Sequence, residues 1–136
     1  MKWVVDTCVL IDVLENDPAF GGPSADLLEK LLRDGLVICP VTMVELAPAF
    51  DGNLETQKHF LEQVGVDFTD PWNFADTESA HKAWNAYVQA RRVSDAPKRP
   101  LADLLIGAFA FRHKGLVTRN SADFRRWFPK LKLRQP

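Results

Sequence analysis

A chain of 136 residues, 46% hydrophobic and 26% charged, suits one folded domain (residues 1–136) and excludes a disordered one. Two cysteines, Cys8 and Cys39, are too few for a disulfide framework and lack partners at zinc-ligand spacing, which fits a reducing cytoplasm; no apolar run is long enough for a membrane span or a signal peptide. The net charge of −1 hides an asymmetry: residues 1–90 carry 5 Lys/Arg against 15 Asp/Glu, whereas residues 91–136 carry 12 against 3, a basic half able to hold phosphates.

Lys2-Trp3-Val4-Val5 reads as a buried strand that stops at Asp6-Thr7. Val9 to Leu14 predicts a helix that ends near Asn16-Asp17-Pro18. Gly21-Gly22-Pro23 reads as a loop, with Ser24 capping a helix over Ala25–Arg33 that Gly35 ends. Leu36 to Cys39 is a second buried strand. Thr42 then caps a helix to about Phe50, with Glu45 at capping-box spacing. Leu54–Val64 is a helix and Val66-Asp67-Phe68 an edge strand. Asp76–Arg92 is a long helix capped by Asp76 or Thr77, and Val93–Pro100 is a loop. Leu101–His113 is apolar nearly all round and therefore central. Gly115 to Thr118 is a strand, Ser121–Trp127 a short helix, and Leu131-Lys132-Leu133 a last strand. Strands alternating with helices indicate an α/β fold with a mostly parallel sheet.

In such sheets, sites form beyond the carboxyl ends of strands. Asp6 follows the first strand, Glu45 the second, and Asn120 and Asp123 the fourth. Asp103 lies in the first turn of the central helix. If the first and fourth strands are neighbours, these acids converge. Two unit charges about 4 Å apart repel by roughly 4 kcal/mol at a surface-like dielectric, so converging carboxylates call for a cation. Oxygen donors without His or Cys favour Mg²⁺ or Mn²⁺ over Zn²⁺, and the chemistry of such sites is phosphodiester hydrolysis. Each acid also has a plainer structural reading. Asp6 and Asp103 suit helix starts, Glu45 suits a capping box, and Asp123 suits the first turn of a short helix.

The motifs resemble those of PIN-domain nucleases. The matching stretches are Val4-Val5-Asp6-Thr7-Cys8-Val9-Leu10-Ile11, Pro40-Val41-Thr42-Met43-Val44-Glu45-Leu46, Pro100-Leu101-Ala102-Asp103-Leu104-Leu105-Ile106-Gly107-Ala108 and Leu116-Val117-Thr118-Arg119-Asn120-Ser121-Ala122-Asp123-Phe124. The resemblance implies a three-layer α/β/α domain with strand order 3-2-1-4-5. It implies a Mg²⁺- or Mn²⁺-dependent endoribonuclease similar to VapC-type toxins of type II toxin–antitoxin modules, homodimeric and held by a partner antitoxin. It assigns metal binding to Asp6, Asp103 and Asp123. Glu45 would bind through water or orient the attacking water, and Thr7 and Asn120 would hold metal waters or phosphate oxygens.

Around these acids, Arg91, Arg92, Lys98, Arg99, Arg119, Arg125 and Arg126 are candidates for gripping the RNA backbone. Cys8 is expected to be a small buried hydrophobe rather than a nucleophile. A phospho-accepting receiver or phosphatase domain lacks its acid pair and strand-end lysine here, and no glycine-rich Gly-Lys-Ser/Thr stretch makes a P-loop. A PIN-like chain serving only as a binding or regulatory module is the remaining alternative.

Overall fold

The computed structural model describes residues 1–93 and 101–136. Segment 94–100, with the candidates Lys98 and Arg99 and most of the expected loop, lies outside the described residues. Five short strands make one sheet: β1 (Trp3–Val5), β2 (Leu36–Val37), β3 (Val66–Asp67), β4 (Gly115–Val117) and β5 (Leu133–Arg134). The order is β3-β2-β1-β4-β5, as the family resemblance implied, and every pair is parallel where a mostly parallel sheet was expected. Strand β1 is central, and all three of its residues are buried.

The pleat sends alternate residues of each strand to opposite faces. Trp3, Val5, Leu36 and Val117 pack beneath helices α1 (Thr7–Leu14), α2 (Gly21–Leu31) and α4 (Leu54–Gln63), with Val9, Leu28 and Leu61. Val4, Val37 and Leu116 pack under α5 (Phe74–Val93), α6 (Leu101–Phe111) and α7 (Ser121–Trp127), with Tyr87, Ile106 and Phe124. The result is three layers with helices on both faces. Helix α6 touches β1 and β4 and is buried at Leu104 and Ile106 through Ala110, as its all-round apolarity predicted. No described helix is long and apolar enough to cross a membrane.

Local starts and ends differ from the sequence reading in several places. Helix α2 begins at Gly21, so Gly21-Gly22-Pro23 is its first turn and Ser24 is buried within it rather than capping it. The entry is fixed instead by Asp17, whose Oδ2 accepts the N–H groups of Ala19 and Phe20 at 3.0 and 2.8 Å. Helix α3 (Pro40–Glu45) starts at a proline, which needs no hydrogen-bond partner there, and a separate 3₁₀ turn covers Ala47–Phe50. The Thr42–Glu45 capping box therefore does not form, because both residues lie inside α3 and Glu45 ends it. At α5, Asn73 and Asp76 cap reciprocally: Asn73 N–H donates to Asp76 Oδ2 at 3.0 Å, and Asp76 N–H to Asn73 Oδ1 at 3.2 Å. Asp76 is fully buried and receives Nε and Nη2 of Arg112 at 2.8 and 3.0 Å, tying α5 to the end of α6.

Candidate active site

The parallel register sets Val5 beside Val117, so the next residues, Asp6 and Thr118, meet where β1 and β4 end. Asp6 N–H donates to Val117 O at 2.9 Å, continuing the ladder by one bond. The Asp6 side chain is 5% exposed, and both its oxygens are held. Oδ1 accepts Thr7 N–H at 2.8 Å, which makes Asp6 the N-cap of α1. Oδ2 accepts the Thr118 hydroxyl at 2.7 Å, and Cys8 Sγ approaches the same oxygen at 3.5 Å. A carboxylate held at both oxygens keeps one orientation. The capping role and the site role fall on one residue.

Thr118 carries a larger share of the geometry than its place at a strand end suggests. It is fully buried, and its hydroxyl also accepts Asn120 N–H at 3.0 Å. Asn120 in turn starts α7 with its backbone, its carbonyl accepting Asp123 N–H at 3.1 Å, while its side chain makes no cap. A polar residue closing a buried strand was the available sequence signal for Thr118.

Glu45 is exposed at the end of α3, and its Oε1 accepts the Thr7 hydroxyl at 2.7 Å. Thr7 Oγ1 lies 3.0 Å from the buried Thr42 Oγ1 as well. Thr7 thus links the β1 terminus to the acid of α3. Asp103 sits half-buried in the first turn of α6. Helix α6 is separated from β4 by only Arg112, His113 and Lys114, so it runs back along the sheet and starts near the edge where β1 and β4 end. Asp123 is exposed in the first turn of α7. In chain order Asp6, Glu45 and Asp123 each follow a strand, and Asp103 opens the helix that leads into β4. Direct contacts join Asp6, Thr7, Glu45, Thr118 and Asn120.

Among the described residues, no three His, Cys, Asp or Glu side chains lie close enough to cage a metal ion. The donors are hard oxygens, and they suit a hydrated cation held by one or two carboxylates rather than a closed, fully protein-ligated site.

The basic candidates separate on inspection. Arg119 is committed inward. Its Nε lies 2.7 Å from Oδ2 of the buried Asp12, an ion pair rather than a straight hydrogen bond at that nitrogen, and Nη2 donates to Oδ1 at 3.3 Å. Its guanidinium also covers the Phe20 ring at 4.6 Å. Asp12 was not singled out by the sequence reading, although a lone acid in Val9-Leu10-Ile11-Asp12-Val13-Leu14 was a visible signal. Arg91 and Arg92 are exposed at the end of α5. Arg125 and Arg126 are exposed on α7, where Arg126 lies over Trp127 at 4.9 Å.

Burial, reinforced by the charge of Asp6, pushes the Cys8 thiol up to about 11. The thiol is therefore protonated at neutral pH and a poor nucleophile, in keeping with a packing role.

The PIN domain family model matches residues 3–127 of the chain. One chain in the crystal structure of VapBC2 from Rickettsia felis bound to a DNA fragment from their promoter superposes with a TM-score of 0.76, at 20% identity, over 99% of this chain and 98% of that one. FitAB bound to an IR36 DNA fragment gives 0.66 at 15% identity, covering 98% and 94%. FitAcB from Neisseria gonorrhoeae gives 0.64 at 16%, covering 96% and 94%. At these identities the likeness is one of fold. The sequence matches no curated protein. The family match spans the two strands that end at Asp6 and Thr118 and every nominated acid, and the chain belongs to the PIN-domain family.

Proposed function

We propose that this chain is a Mg²⁺- or Mn²⁺-dependent endoribonuclease, the VapC-type toxin of a toxin–antitoxin pair. The observation that carries the reading is the fixed Asp6 carboxylate at the β1–β4 edge of a PIN-family domain, coupled through Thr7 to Glu45. Asp6 and Asp103 are the residues assigned to hold a divalent ion, with Asp123 as a further candidate ligand. Such an ion, when bound, activates water as a nucleophile and offsets charge on the phosphate and the leaving oxygen. The protein's part is positional. Thr118 and the α1 backbone keep Asp6 in one rotamer. Thr7 holds Glu45 toward the edge, where its carboxylate orients the attacking water, and Asn120 offers an amide to a phosphate oxygen. Exposed Arg91, Arg92, Arg125 and Arg126 are the candidates to grip the RNA backbone, and Lys98 and Arg99 are assigned the same role from sequence alone. Their involvement would make RNA affinity fall steeply with added salt.

The antitoxin proposal draws on the similar structures, which are complexes named VapBC2 and FitAB. We assign a homodimer on the family resemblance alone, and a cytoplasmic location on the two free thiols.

The test is cleavage by purified variants. Asp6→Ala and Asp103→Ala should each abolish RNA cutting while melting cooperatively, and EDTA should silence the wild-type chain until Mn²⁺ is restored. Full activity in either variant removes the assignment. Failure to bind Mn²⁺ at millimolar concentration in calorimetry would instead favour a binding or regulatory module.

A further inference from the structure

We propose that Phe20 is a stacking platform for a base of the RNA substrate, with Arg119 as its brace and Asp12 as the anchor of that brace; the assignment rests on the ribonuclease reading and deepens it. Phe20 is 38% exposed, between α1 and α2. Exposed aromatic rings on a surface are ordinary. This one differs in how firmly it is held and in what it adjoins.

Its backbone is fixed from below. Asp17 Oδ2 accepts the N–H groups of both Ala19 and Phe20. The chain then turns so tightly that a Cβ at Gly21 would come within 2.9 Å of the Asn16 carbonyl carbon. The ring is fixed from one side by the Arg119 guanidinium, and that guanidinium is fixed by Asp12, which is 4% exposed. Asp12 is the buried member of the pair, while the Arg119 side chain remains 35% exposed. The pairing sets the Arg119 guanidinium over the Phe20 ring.

Arg119 directly follows Thr118, the donor to Asp6, and precedes Asn120. The platform therefore stands next to the carboxylate edge. The other strongly exposed aromatics among the described residues, Phe74, Trp84 and Phe111, belong to α5 and α6 and have no such link to Asp6. Single-stranded RNA is recognised by splaying bases onto aromatic rings and guanidinium planes. Stacking tolerates any base, so the platform would place the strand rather than read its sequence.

The probe is a short single-stranded oligoribonucleotide with one 2-aminopurine flanked by uridines, titrated into Asp6→Asn protein so that no cleavage intervenes. With Phe20 in place, the fluorescence should be quenched on binding for at least one placement of the probe base. Phe20→Leu should abolish the quenching and weaken binding at least about fivefold, and Phe20→Trp should retain both. In the cleaving chain, Phe20→Leu should raise KM by a similar factor and leave kcat unchanged. A Phe20→Leu chain that melts normally, quenches normally and keeps its affinity overturns the platform while the ribonuclease reading stands. A wild-type chain that neither binds nor cuts RNA overturns both.

Discussion

Thr118 shows how much of the site rests on side chains that carry no charge. Its one proton goes to Asp6 Oδ2, and its oxygen accepts Asn120 N–H, in full burial. Thr118→Val keeps the shape and removes both bonds, leaving the buried Asp6 Oδ2 short of a partner. The expected cost is about 1–3 kcal/mol in urea denaturation. Cleavage should fall with it, and Thr118→Ser should recover most of both; equal stability of Val and Ser variants would contradict the geometry. The acids were legible because acids at strand ends and helix starts are conspicuous. Thr118 and Asp12 were less so, since their importance lies in partners far along the chain. Arg119 illustrates the same point. Its sequence neighbour Asp123 suggested a role in gripping RNA, but its actual partner Asp12 lies 107 positions away.

Elements were read more accurately than their boundaries. Strands covered on both faces appear as short apolar runs, so β1, β2 and β4 stood out. Gly35, with φ +91°, was expected to end the helix, but α2 stops at Leu31 and Gly35 instead closes the turn that leads into β2. Gly21-Gly22-Pro23 misled because glycine has two uses. At Gly21 it permits close approach to Asn16 rather than a turn, and Pro23 is harmless where first-turn N–H groups have no partner. Asp76 was expected to cap α5, and it does take part in the cap. Its pairing with Arg112, just past the end of the next helix, was invisible from one sequence. That pairing sets a prediction for the α5–α6 contact. Arg112→Ala strands a fully buried carboxylate and should cost about 3–5 kcal/mol. Asp76→Asn should cost less, because Arg112 is partly exposed and can turn to water. Chemical denaturation of the two variants gives the order, and the reverse order would refute it.

At the scale of the whole molecule, the two thiols tie folding to alkaline pH. Burial is the main reason that Cys8 and Cys39 both rise from 9.0 to about 11. A group that holds its proton more tightly when folded adds stability below its unfolded pKa and loses it as pH climbs through the folded one. The fold should therefore weaken between about pH 9 and 11, by on the order of 2 kcal/mol per thiol. A Cys8→Ala/Cys39→Ala chain should lose that portion of the slope in urea titrations across this range, and an unchanged slope would refute the assignment. The bond from Thr118 to Asp6 has a consequence for biosynthesis, since it joins positions 112 apart. A ribosome that has released everything through α6 has yet to supply the strand and hydroxyl that lock the first carboxylate. Closing so long a loop comes late in folding. A nascent or truncated chain lacking β4 therefore lacks the hydroxyl that locks Asp6, and the proposed site would assemble only after that strand has been made.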